Sequence, residues 1–205
     1  MSGLQLVPLA CPSCGAGVEA GAADVVYYCS ACRNGYLYGD RTTPLRPVEV
    51  AFVTVPGKAI STYLPFWLLP ATVRILARTT SGGAGVLRAM FGGSEPAPGA
   101  ESQGIFALPA YDLPLASLLA LAQRYTQALP TLGERLGERL RGGRLTVEDA
   151  QKLAEYVLIA DEAQKPDTLT GLRYELRFGP PRLLGVPFVL TPAGGRVDAL
   201  FGLAG

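Results

Sequence analysis

Two short motifs near the start of the chain decide its fold: CPSCG spans residues 11–15, and CSACRNG spans residues 29–35. Each motif contains two cysteines separated by two residues, a spacing that lets both sulfurs hold one ion across a tight turn. Two such motifs predict a closed tetrahedral site with four thiolate ligands and no open position. The predicted ligands are Cys11, Cys14, Cys29 and Cys32.

The residues around the motifs fit the backbone that such a site requires. A turn at a pair of cysteines often needs a residue with positive φ just after the second cysteine. Gly15 meets this need in the first motif, and Asn34 or Gly35 can meet it in the second. The segment 25–28 predicts a strand that leads into the second motif, and 36–38 predicts the returning strand.

The cysteine motifs, the short hairpin between them and the surrounding aromatic residues resemble the zinc ribbon, or rubredoxin-like, module. The resemblance covers about residues 9–40 and implies one structural Zn²⁺ held by Cys11, Cys14, Cys29 and Cys32. Two alternatives remain for the cysteines: an iron site with an electron-transfer role, or two disulfides in an oxidising compartment. So small a module buries too little apolar surface to fold unaided, so the metal is expected to supply its folding energy.

Composition narrows the classes of function. The chain contains no histidine, which excludes imidazole bases, Ser-His and Cys-His nucleophile pairs, and histidine metal ligands. Its formal net charge is +1, whereas proteins that bind duplexes usually carry a basic excess, so nucleic-acid binding is not favoured. Charged residues make up 17% of the chain, against about 25% in average domains, which suggests an apolar surface that a partner covers. The single Asn and the many prolines fit a thermophile or a GC-rich genome.

The sequence shows no secretion signal and no apolar run of about 20 residues. The most apolar stretches, 64–77 and 105–122, are interrupted by prolines and charged residues. Together with cysteines in metal-ligand spacing, this predicts a cytoplasmic protein without a transmembrane segment.

The fold class predicted is α+β, with a zinc ribbon at 1–42 and a mixed body of strands and helices at 43–205. The body is expected to begin with a strand at 48–55, an edge strand or an extended segment at 63–70, and a strand at 72–78. A flexible loop is predicted at about 79–104, and its apolar residues at 86–91 could dock on a partner or on the body itself.

Helices are predicted for the second half of the body. One follows a cap at Asp112, a weak one covers 132–140, and the strongest begins at the cap residue Thr146. Asp161 and Glu162 would lie on the solvated surface of this last helix. The alternation at 172–178 then predicts a strand, and 183–192 predicts another extended segment.

Two proline-containing segments suggest an internal repeat: LPFWLLP at 64–70 and VPFVLTP at 186–192. The repeat would place two similar β units around the helical segment, although a chance match of proline-rich segments explains it equally well. The aromatic residues Tyr63, Phe66 and Trp67 are predicted to be core rather than a binding platform.

These features predict a non-enzymatic protein, an adaptor or a subunit of a larger assembly with a protein partner. The first alternative is a nucleic-acid-associated factor of transcription or translation, in which Arg33, Arg41 and Arg46 would contact phosphates. The second alternative is a rubredoxin-like iron redox module. No Walker loop, dinucleotide fingerprint or nucleophile elbow is present.

Overall fold

A computed structural model describes residues 9–39, 45–81, 99–133, 139–165 and 168–205. It contains ten strands in two sheets and two helices within these residues, which agrees with the predicted α+β class. The first sheet consists of β1 (Val26–Tyr28), β2 (Gly35–Tyr38) and β3 (Leu45–Val48). The second contains β4 (Val50–Val53), β5 (Thr62–Ser81), β6 (Glu101–Pro109), β7 (Leu132–Gly133), β8 (Thr168–Phe178), β9 (Arg182–Leu190) and β10 (Arg196–Asp198). The helices are α1 (Leu115–Gln127) and α2 (Val147–Ala163).

Strand β5 is the long central strand of the larger sheet and pairs with three other strands. It pairs antiparallel with β6 along one side. Along its other side it pairs first with β9 and then with β8, so that two consecutive strands together match its 20 residues. The prediction of an edge segment at 63–70 followed by a separate strand is therefore wrong, because both segments belong to one central strand.

The three prolines of β5 and β9 are tolerated because each lies where a neighbouring strand ends. Pro70 lies opposite the corner between β8 and β9, where its carbonyl accepts from the Gly179 amide at 2.8 Å. The carbonyl of Pro65 accepts from Ala110, one residue past the end of β6, and that of Pro187 accepts from Ala199, one residue past β10. A residue of an antiparallel strand turns its N and O to the same side, so each missing amide falls in a gap of the ladder.

The two segments of the suggested repeat are neighbours and have the same local environment. Leu64 of β5 lies opposite Val186 of β9 in the antiparallel ladder. Phe66 lies opposite the last residue of β6, and Phe188 lies opposite the last residue of β10. The ladder thus places the two segments side by side, and the repeat itself remains a prediction.

Helix α2 packs on one face of the larger sheet, and α1 packs along β6 with side chains in the core clusters of both faces. Helix α2 begins as predicted, with the Asp149 amide donating to Thr146 Oγ1 at 3.1 Å. Helix α1 begins later than expected, after Pro114, and has no side-chain cap at its start. Glu162 is not solvated as predicted: it is buried at the end of α2, where Arg78 and Lys165 pair with its carboxylate.

Several other expectations need correction. Residues 132–133 form strand β7 and Leu140 forms a β-bridge, so the predicted helix at 132–140 is wrong at both ends, and 134–138 lie outside the described residues. The predicted loop at 79–104 is strand at both ends, since β5 reaches Ser81 and β6 begins at Glu101. Its apolar segment at 86–91 lies outside the described residues.

The core of the body holds the predicted aromatic residues. Tyr63, Phe66 and Trp67 are all fully buried. The Trp67 indole N–H donates to the Leu145 carbonyl at 2.9 Å, which satisfies the one polar atom of a fully enclosed ring. In the part of the chain that the structure describes, no helix is long and apolar enough to cross a membrane.

Candidate metal centre

The small sheet and the cysteine motifs form one unit, which we call the cysteine module (residues 9–39 and 45–48). Strand β2 pairs with β1 on one side and with β3 on the other. The sheet thus takes its third strand from beyond residue 42, where the sequence suggested a boundary. That division into two domains remains a prediction.

The structure brings the four predicted ligands together. Their Sγ atoms all lie within 4.8 Å of one another, with 3.5 Å between Cys11 and Cys32 and 3.6 Å between Cys14 and Cys29. A tetrahedral ion with Zn–S bonds of about 2.3 Å requires sulfurs about 3.8 Å apart. The four thiols therefore fit one metal ion with four sulfur ligands, and within the described residues they are the one cluster of this kind.

Both cysteine turns have the same backbone hydrogen bonds. In the first, the Gly15 amide donates to the Cys11 carbonyl at 2.8 Å and the Cys11 amide donates to the Ala16 carbonyl at 2.8 Å. In the second, Arg33 donates to Cys29 at 2.7 Å and Cys29 donates to Asn34 at 2.9 Å. The two turns are thus equivalent, as expected for a site that each turn supplies with two ligands.

The residue after each second cysteine has positive φ. Gly15 has φ 73°, as predicted. In the second turn the residue is Arg33, with φ 64°, and not Asn34 or Gly35 as expected. Gly35 serves another purpose, since a Cβ there would lie 2.4 Å from Val50 Cγ2. Close packing of β2 against the start of β4 therefore explains this glycine.

A hydroxyl outside the four cysteines completes the site. The Tyr36 hydroxyl, on the buried face of β2, lies 3.2 Å from Cys11 Sγ and 2.7 Å from Ser13 Oγ. An O–H that donates to a ligating sulfur orients the ligand and stabilises its negative charge. The sequence placed aromatic residues near the motifs, but it did not single out Tyr36.

The clustered thiols Cys11 and Cys14 have different pKa values because their surroundings differ. Burial opposes ionisation of Cys11, but hydrogen bonds from Tyr36 and from the backbone of Ser13 and Cys14 outweigh it and lower its pKa to about 6. The Ala16 amide lowers the pKa of Cys14, but desolvation and the neighbouring sulfurs together raise it to about 12. Four crowded thiols therefore resist joint deprotonation, which a bound cation would relieve.

The cysteine module is attached to the body through strand β1. The Val25 and Val26 amides donate to the Gly143 carbonyl at 2.7 and 3.0 Å, and Gly143 donates back to Val26 at 3.1 Å. The side chains of Val26 and Tyr28 are buried in the same core cluster as Trp67. The small sheet is therefore packed against the body, whereas the buried cysteines belong to a separate core cluster with Tyr27 and Tyr36.

The arginines considered for phosphate contacts are only partly described. Arg33 and Arg46 are exposed, and Arg41 lies outside the described residues.

The comparisons with known proteins assign no relative. No family model matches this chain, and no curated protein and no solved structure resembles it to a significant degree.

Proposed function

We propose that this chain is a cytoplasmic, non-enzymatic adaptor or assembly subunit whose cysteine module is a zinc ribbon with one structural Zn²⁺. The observation that carries the proposal is the closed set of four thiols, joined by two equivalent turns. Four sulfurs complete the tetrahedral coordination of zinc and leave no position for water or substrate. Such a site contributes folding energy and rigidity rather than Lewis-acid chemistry.

The surface of the body supports a role in assembly. Three leucine and tyrosine side chains of three different elements stand well out into solvent: Leu115 of α1 is 63% exposed, Tyr156 of α2 64% and Leu190 of β9 62%. Each of these side chains offers a partner apolar surface, and its burial would stabilise an assembly. The low charged fraction of the chain points the same way.

The proposal is tested by purifying the tagged full-length chain from its native host under non-denaturing conditions. Zinc and iron are quantified, and co-purifying polypeptides and nucleic acid are identified in the same sample. We expect one zinc per chain and a different polypeptide in stoichiometric amount, retained at high salt. A sample washed at low salt serves as the control for electrostatic binding.

Each other outcome contradicts a defined part of the proposal. Iron and visible colour would contradict the structural zinc site and favour the iron redox module. Nucleic acid that is retained at low salt and lost at high salt would favour the nucleic-acid-associated factor. A chain that carries zinc but no other polypeptide would contradict the adaptor role.

A further inference from the structure

Strand β8 has an open edge. It pairs with β5 along one side, and its other side has no partner among the residues that the structure describes. The other borders of the sheet differ: the Ala107 amide of β6 donates to Thr126 Oγ1 of α1 at 3.0 Å, and β7 has only two residues. An edge of 11 residues whose outer backbone groups have no strand partner within the described part of the chain is a template for another strand.

The backbone alternation defines which residues of β8 face outward. Gly179 donates to Pro70 of β5, so the residues at even distance from it, including Arg177 and Glu175, also turn their N–H and C=O groups toward β5. The irregularity at Ile75/Ala77 adds a residue to β5 only, so β8 continues this alternation as far as Gly171, where a second irregularity at Thr79/Thr80 adds Thr170 to β8. The outward backbone groups therefore belong to Leu172, Tyr174, Leu176 and Phe178.

We propose that β8 pairs antiparallel with β8 of a second copy of this chain, with the two-fold axis at Tyr174. This register places Arg173 opposite Glu175 of the second copy, twice by symmetry, and Leu172 opposite Leu176 of the second copy, also twice. Directly opposite charges and apolar pairs stabilise adjacent strands. Segments 171–177 of both copies then pair, and the two large sheets become continuous.

The charge pattern of β8 favours a copy of itself in this register over the alternatives. A two-fold axis at Arg173 or at Glu175 would place like charges opposite each other. Parallel pairing in register would do the same at every charged position. An axis at Leu176 would pair only the segment 174–178. The in-chain ion pairs of Glu175 are long, 3.8 Å to Arg74 and 3.5 Å to Arg177, and its side chain is 42% exposed.

Helix α2 lies beside the same edge and adds apolar surface. The Tyr174 hydroxyl donates to Glu155 Oε2 at 3.0 Å, which fixes this part of α2 above β8. Ile159, one helical turn further along, is 40% exposed. A two-fold axis perpendicular to the sheet keeps both copies of α2 on one face, so that Ile159 and its symmetry mate approach each other across the seam.

The test is the mass in solution of the zinc-loaded full chain, measured by sedimentation equilibrium across a concentration series. The wild-type protein is expected at twice its 21.5 kDa chain mass. Arg173→Glu sets two carboxylates opposite each other across the seam, and Glu175→Arg sets two guanidinium groups opposite each other there. Each variant alone is expected to weaken the dimer about tenfold or more. An equimolar mixture of the two restores both opposite-charge pairs and is expected to form the heterodimer.

Arg177→Glu is the matched control. It makes the same change of charge on the same strand, but position 177 lies opposite Gly171 of the second copy, so the dimer is expected to persist. Circular dichroism confirms that each variant folds, and the heterodimer serves as a second check, because only folded chains form it. A monomeric wild-type protein would overturn the proposal. So would reversal variants that leave the dimer intact, or a mixture that stays monomeric.

Discussion

The hydroxyl of Tyr36 is the one side-chain group outside the cysteines that contacts a sulfur of the candidate metal centre at hydrogen-bond distance in the described residues. Tyr36→Phe keeps the buried ring and removes this contact. We expect zinc affinity to fall about tenfold, within the range for such outer contacts, while the fold is retained. Competition with a chromophoric chelator measures this affinity. Tyr38→Phe, on the exposed end of the same strand, is the control and should leave it unchanged.

The two residues with positive φ next to the cysteines give opposite predictions. Arg33→Gly removes the strain of a side chain in the left-handed region and should stabilise the module by about 1 kcal/mol. Gly15→Ala should destabilise it by a similar amount, and only through the backbone, since a Cβ there meets nothing within 4 Å. Thermal unfolding of the zinc-loaded variants measures both. A loss of stability in Arg33→Gly would contradict the assigned backbone conformation.

For individual residues, the sequence predicted the grouping of the cysteines but not their surroundings. Spacing alone brings Cys11, Cys14, Cys29 and Cys32 together, because a two-residue separation has few compatible turns. The reason for a glycine at position 35 is its packing against Val50, which no local pattern shows. The burial of Glu162 likewise depends on Arg78, 84 residues away in the chain.

Helix α1 is tied to the C-terminal turn by a buried hydrogen bond between Tyr125 and Asp198. The Tyr125 hydroxyl donates to Asp198 Oδ1 at 2.9 Å, and three backbone amides, of Leu200, Phe201 and Leu203, donate to the same carboxylate. Tyr125→Phe should lower the free energy of unfolding by about 1–3 kcal/mol at neutral pH. Urea unfolding measures this. Tyr111→Phe is the control and should cost little, because the buried Tyr111 hydroxyl has no hydrogen-bond partner among the described residues.

The same hydrogen bond predicts a loss of stability at alkaline pH. Burial, then the charge of Asp198, raises the pKa of Tyr125 above its ordinary value of 10. Because the folded-state pKa is the higher one, the stabilisation is complete below about pH 10 and decreases as the pH rises above it. Urea unfolding at a series of pH values should show this decrease in the wild type and a smaller one in Tyr125→Phe. Equal slopes would contradict the prediction.

Gly143 is a close contact between strand β1 and the body. A Cβ at this position would lie 2.8 Å from the Ala110 carbonyl oxygen and 3.1 Å from both Pro65 and Val26. Gly143→Ala should therefore separate β1 from the body and destabilise the protein by about 1–3 kcal/mol. Gly104→Ala, where a Cβ meets nothing within 4 Å, is the matched control. Chemical unfolding of both variants measures the difference.

Among the elements, those with local signals were the predictable ones. The alternation at 172–178 and the cap at Thr146 predicted β8 and the start of α2 correctly. The long strand β5 was divided at its prolines, because a sequence shows the missing amide but not where the neighbouring strands end. For the same reason β7 was taken for a helix: its leucine pattern is helical, whereas its pairing with β4 is a long-range contact.

At the scale of the whole molecule, removal of the metal should destabilise the body as well as the cysteine module. Val26 and Tyr28 of the cysteine module are buried beside Trp67, the single tryptophan of the chain. Chelation of the metal should therefore unfold the small sheet and lower the melting temperature of the entire protein, with Trp67 fluorescence changing in the same transition. Calorimetry with and without chelator measures this. An unchanged body transition after metal removal would show that the two parts fold independently.

The placement of β5 has a consequence for how the chain is made. The strand ends at Ser81, while β8 and β9, which complete one entire side of it, begin at Thr168 and Arg182. At a synthesis rate of about 5–20 residues per second, this side of β5 has no strand partner for roughly 5–20 s. During synthesis, its apolar edge is open to any other nascent chain. Shielding of the growing polypeptide would therefore have its greatest effect before the last quarter of the chain has emerged.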